Sequence, residues 1–100
     1  MKVYAVIDLC DMGSDSTETV VGVYASLDIA KKVIKQHIKE QIEIYKEDCD
    51  DLENPKGKVF DLRKKLPIDE MLNDNLGFCY IDEGFSESDY IRILEVEVKE

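Results

Sequence analysis

Residues 26–47, SLDIAKKVIKQHIKEQIEIYKE, decide the fold. Ala30, Val33, Ile34, His37, Ile38, Ile42 and Tyr45 recur at intervals of three and four, and Cys49 extends the series. That spacing draws one apolar stripe along a helix from Leu27 to about Glu47. Ser26 stands at the N-cap and Asp28 in the first turn, where the macrodipole favours an anion. The other face carries Lys31, Lys32, Lys35 and Lys39, then Glu40, Glu43 and Glu47. This order opposes the macrodipole at a cost of about 0.3–1 kcal/mol per exposed charge, so packing must hold the helix. The layout suits a surface arranged for a partner, or a face simply bathed in water and salt.

A sheet is what the stripe should cover. Lys2 to Leu9 alternates, with Val3, Ala5, Ile7 and Leu9 on one face and Lys2, Tyr4, Val6 and Asp8 on the other. Glu18 to Ala25 alternates likewise, Val21, Val23 and Ala25 opposing Val20, Gly22 and Tyr24. The polar stretch from Cys10 to Thr17 between them predicts a mobile hairpin loop. Beyond the helix, Asn54-Pro-Lys-Gly57 has the composition of a type I turn. Lys58 to Leu66 fits both a helix and a strand. Pro67 at a first helical position, followed by Asp69 and Glu70, predicts a short helix through about Asn73. Leu76–Asp82 and Asp89–Val98 read as strands. The fold class is therefore α+β: a mostly antiparallel four-stranded sheet, one long helix packed on one face, and a short second helix.

The apolar strand positions Tyr4, Val6, Val20, Tyr24, Ile91 and Ile93 lie opposite the side taken as core. Either the short helix or another subunit should cover them.

The 100 residues make one domain, 1–100, with an expected folded surface of about 5,800 Å². Thirteen Lys and Arg face 23 Asp and Glu, a net charge of -10. Such a chain lacks the positive footprint for direct nucleic-acid binding, and it is disfavoured at anionic membranes. No apolar run is long enough to span a bilayer. Cys10, Cys49 and Cys79 are odd in number and widely spaced, which fits reduced thiols in a bacterial host cytoplasm and no paired zinc or redox motif.

Motif chemistry is sparse. Loops starting at Asp11 or Asp48 fail the EF-hand spacing, because Gly13 and Leu52 fall where oxygen ligands are needed. No phosphate-binding glycine loop, zinc-protease motif or nucleophile elbow occurs. The expectation is no enzyme, with no catalytic residue, no metal and no cofactor. His37, the single histidine, belongs to the helix stripe and is expected at the core edge. A deep pocket in which it met a carboxylate and a cysteine would say otherwise.

What stands out is acidic density. Between Glu40 and Glu53 only Lys46 opposes seven acids, and Leu66 to Ile91 contains seven acids with no Lys or Arg. Glu43, Glu47, Asp48, Asp50, Asp51 and Glu53 form one candidate partner-binding group, and Asp69, Glu70 and Asp74 a second. Carboxylates so spaced can occupy Arg and Lys sites built for phosphates. That points to a basic host protein as partner, such as an RNA-guided nuclease or another nucleic-acid-binding protein. One contiguous acidic patch favours this reading; scattered acids beside an apolar surface favour a small regulatory or homo-oligomeric module.

MKVY (residues 1–4), VVGVY (residues 20–24) and ASLDIAKK (residues 25–32) resemble small uncharacterised proteins of bacteriophages and mobile elements of Firmicutes. The resemblance spans roughly residues 1–40 and implies a fold, not a chemistry. In size and acidity the chain is also similar to phage anti-CRISPR and other anti-defence proteins. That likeness of type implies a non-enzymatic inhibitor that occludes a basic nucleic-acid-binding surface.

Overall fold

Alternating apolar residues and one long amphipathic helix produce a two-layer structure. The computed structural model describes residues 1–48, 57–73, 77–84 and 87–99. Strand β1 (Lys2–Asp11) and strand β2 (Ser16–Tyr24) form a hairpin, followed by helix α1 (Leu27–Asp48). Strand β3 (Lys58–Val59), helix α2 (Ile68–Asn73), strand β4 (Phe78–Asp82) and strand β5 (Ser88–Glu97) complete the chain. The sheet order is β2-β1-β5-β4-β3, and every neighbouring pair is antiparallel. The α+β class and both helices stand as expected.

Among the described residues the sheet has five strands, where the sequence pattern predicted four. The fifth is the two-residue β3, drawn from the ambiguous Lys58–Leu66 segment and paired with Ile81 and Asp82. Phe60 prolongs that edge by donating its N–H to the Tyr80 carbonyl at 2.9 Å. Its ring meets Phe78 edge-on, centroids 4.8 Å apart.

The loop expected over Cys10–Thr17 is also shorter than its composition suggests. β1 runs to Asp11 and β2 starts at Ser16, leaving a tight turn. Met12 N–H donates to the Asp15 carbonyl at 2.8 Å, and Gly13 takes a positive φ of 84° that permits the reversal. The Asp11 carboxylate accepts the Gly13 N–H at 3.0 Å and braces the turn. The type I turn expected at Asn54–Gly57 lies, except for Gly57, outside the described residues.

α1 buries the stripe that defined it. Ala30, Ile34 and Ile38 are fully buried and Ile42 nearly so. They join Val6, Tyr80, Ile81, Ile91 and Ile93 of the sheet in one cluster, which also takes Ile68 and Met71 of α2. Both helices therefore pack on the same side. A register shift in β4 between Cys79 and Ile81 turns the consecutive Tyr80 and Ile81 both into that core. The chain measures 53 × 31 × 19 Å, and its accessible surface of 7127 Å² exceeds the about 5,800 Å² expected from its mass. Val20, Val23, Leu94 and Val96, exposed on one sheet face, contribute to the excess.

Candidate functional site

The uncovered face is the reverse of the one the alternation suggested. Tyr4, Val6, Ile91 and Ile93 point to the helices, while Val3, Ala5, Ile7 and Leu9 face the other side. Ile7 is only 8% exposed between Val20 and Arg92, and the other three are half-buried. Cross-strand register makes this explicit: Ala5 stands opposite Val23 and Leu94, Ile7 opposite Val20 and Arg92, and Val3 opposite Val96. Both faces of β1 are apolar, so period two gives the partition but not the side that is covered. Ile91 and Ile93, with Tyr80 and Ile81 beside them, supply the bulkier surface that α1 fills.

A register shift in the β1–β2 pairing, between Val6 and Ile7, explains a second departure. It turns Val21 toward the core and sets Val20 and Val23 on one face, although strict alternation separates them. Val20 is 62% exposed, Val23 58%, Leu94 47% and Val96 38%. The only ion pair on this face, among the described residues, joins Arg92 to Glu18 at 3.4 Å.

Beneath α1 the sheet carries a polar cluster. His37, in the middle of the helix, donates from Nε2 to Asp8 Oδ2 at 2.7 Å. The Tyr80 hydroxyl donates to the same oxygen. The His37 and Tyr80 rings meet edge-on at 6.5 Å. Burial, followed by the hydrogen bond and charge of Asp8, holds the Tyr80 phenol well above its ordinary pKa. His37 thus meets a carboxylate at the core edge, tying α1 to β1 and β4.

One step along β1, Cys10 stands opposite Asp89 in register and donates from Sγ to Glu87 Oε1 at 3.5 Å. Ligand atoms of Cys10, Glu87 and Asp89 all lie within 4.8 Å of one another. Burial first, then Asp89 and Glu87, push the Cys10 thiol up to about 12, so it is a poor nucleophile at neutral pH. Burial and neighbouring carboxylates also raise Asp89, to about 6.

The predicted acidic groups do not meet as one described patch. Glu43 and Glu47 are exposed along the second half of α1, and Asp48 closes the helix. Asp50, Asp51, Glu53 and Asp74 lie outside the described residues. Asp69 and Glu70 instead share a cleft of about 610 Å³ with Lys31, Lys32, Lys35, Lys64 and Lys65, floored by Leu66, Pro67 and Ile68. His37, Asp8 and Cys10 are not among the residues that line it.

Sequence reading noted the helix lysines but missed Lys64 and Lys65. The run Arg63-Lys64-Lys65 was the available signal. Asp61 sets this turn: its carboxylate accepts the Arg63 N–H at 3.0 Å and the guanidinium through Nε at 3.0 Å and Nη2 at 2.9 Å. Those bonds hold the exposed Asp61 carboxyl down at about 2. Arg63 is thereby engaged locally, while the next two lysines face the first half of α1.

No protein-family model, no curated protein and no solved structure matches this chain. No helix among the described residues is long and apolar enough to cross a membrane. The functional reading therefore rests on the surfaces themselves.

Proposed function

We propose that the chain is a small, non-enzymatic association module that pairs with a second copy of itself through the open sheet face. The observation behind this reading is the contiguous apolar surface formed by Val20, Val23, Leu94 and Val96 around Val3, Ala5 and Leu9. Isolated exposed aliphatics are ordinary, but a patch of several hundred Å² on a monomer marks an interaction surface. With strand rise and spacing of about 3.4 and 4.8 Å, strands β2, β1, β5 and β4, of nine, ten, ten and five residues, offer about 550 Å². Two such faces bury about 1,100 Å², just above the about 1,000 Å² that a specific interface needs.

Charge favours a second copy as the occupant. The chain carries -10 overall; on this face the register places Arg92, paired with Glu18, and toward one end Asp11, Asp82 and Lys58. The rows Val3–Val96 and Val23–Ala5–Leu94 carry no charge, so two copies meet there without bringing like charges into opposition, and the helix side stays outermost. Pairing driven by apolar burial should strengthen with salt, which screens the residual repulsion. Sedimentation equilibrium at low and high NaCl tests this. Leu94→Lys with Val23→Lys should give a folded monomer; a parent chain that stays monomeric at high micromolar concentration refutes the pairing.

A second reading is supported by Glu43 and Glu47, which are exposed on α1 and have no ion-pair partner among the described residues. It is the inhibitor that occludes a basic nucleic-acid-binding surface of a host protein in the cytoplasm. Its binding is electrostatic, so it should weaken as salt rises. The two readings thus respond to ionic strength with opposite signs. Displacement of the partner's nucleic acid by the parent, and not by a variant with both glutamates changed to lysine, is the outcome this reading requires.

A further inference from the structure

We propose that the lysine-lined cleft between α1 and α2 binds a magnesium-complexed nucleoside polyphosphate. The cleft gathers five of the thirteen basic residues of a strongly acidic chain at one place. Lys31 and Lys35 are one helical turn apart and Lys32 is their neighbour, so α1 presents three ammonium groups side by side. The Asp61-braced turn brings Lys64 and Lys65 from the other side. None of the five is engaged in an ion pair among the described residues, so all five ammonium groups are available to a ligand.

The rest of the lining selects the ligand class. Five ammonium groups against the carboxylates of Asp69 and Glu70 leave three net positive charges, more than one phosphate group balances. The two carboxylates would repel a bare anion but suit one that carries Mg²⁺, which typically binds through one or two carboxylates together with substrate phosphates. Leu66, Pro67 and Ile68 offer an apolar seat for a flat base. A volume of about 610 Å³ is of the size that holds a ligand of this kind. Lysines act here as point charges, with no glycine loop to cradle phosphates, so binding is salt-sensitive and exchange is fast.

Isothermal titration of the full chain with ATP, in Mg²⁺ and in EDTA, tests the assignment. The expected result is saturable one-to-one binding that is stronger with Mg²⁺. The Lys35→Ala, Lys64→Ala double variant should lose about tenfold or more in affinity while melting like the parent. Lys39→Ala, on the same helix but outside the cleft, should bind as the parent does. Asp69→Asn with Glu70→Gln should abolish the dependence on Mg²⁺. No saturable binding at millimolar ATP, or an equal loss in Lys39→Ala, overturns the site. Tripolyphosphate binding as tightly as ATP overturns the nucleoside seat, and tighter binding of a mixed-sequence single-stranded oligonucleotide overturns the small-molecule assignment.

Discussion

Asp8→Ala removes one acceptor that serves two donors, and the cost can be worked from the geometry. Asp8 Oδ2 takes hydrogen bonds from His37 at 2.7 Å and from the Tyr80 hydroxyl. The Asp8 and His37 side chains are only 15% and 17% exposed, and Tyr80 is 1% exposed. Deleting the carboxylate strands both donors where water has little access, which costs about 3–5 kcal/mol for a buried charged network. That is a large share of the about 5–15 kcal/mol that holds a domain together. At about 4–8 °C per kcal/mol, even the lower figure displaces the melting midpoint by about 12–24 °C.

A double-mutant cycle isolates the network from simple loss of packing. Tyr80→Phe alone should cost about 1.5–3 kcal/mol, as expected for a hydrogen bond to a charged group. In the Asp8→Ala background the hydroxyl has lost this acceptor, so the same change should be neutral or slightly stabilising. Urea unfolding followed by circular dichroism gives each corner of the cycle, with an unchanged m-value as the check on compactness. Equal cost for Tyr80→Phe in both backgrounds would falsify the coupling.

Two further perturbations address pH and backbone. Asp89 is raised by burial, and by Glu87, Asp8 and Glu83, from 3.8 to about 6, so the folded state binds a proton that the unfolded chain releases. Its contribution is fully present below 3.8 and is lost as pH rises through about 6; partial exposure limits it to about 1 kcal/mol. Asp89→Asn should flatten that part of the stability profile in urea titrations from about pH 4 to 7, and an unchanged slope would refute the assignment. Gly77 has φ 76°, and an added Cβ would lie 2.6 Å from the Ile91 carbonyl oxygen and 2.7 Å from Arg92 Cβ. Gly77→Ala should therefore cost about 2 kcal/mol or more, against about 1 kcal/mol for Gly84→Ala, whose φ is similar but whose surroundings are open. Equal melting points for the two variants would show that close approach plays no part.

The sequence alone determined the elements that local chemistry decides. The stripe from Ala30 to Tyr45 makes a helix in any context that offers an apolar partner, and Ser26 starts it through its hydroxyl, which accepts the Asp28 N–H at 3.2 Å. Alternation likewise marked β1, β2, β4 and β5 to within a few residues, because successive strand side chains must face opposite ways. Tertiary structure decided what depends on competition between distant segments. β1 is apolar on both faces, and only the bulk of Ile91, Ile93, Tyr80 and Ile81 beside it selects the side that α1 covers. The register shift in the β1–β2 hairpin, invisible to period two, puts Val20 and Val23 together on the open face. Asp8 reaches His37 across 29 residues and Tyr80 across 72, and Lys64 and Lys65 join the α1 lysines only once α2 docks. Such groupings carry no local signal, since each residue is an ordinary member of its own strand, helix or turn until packing brings them together.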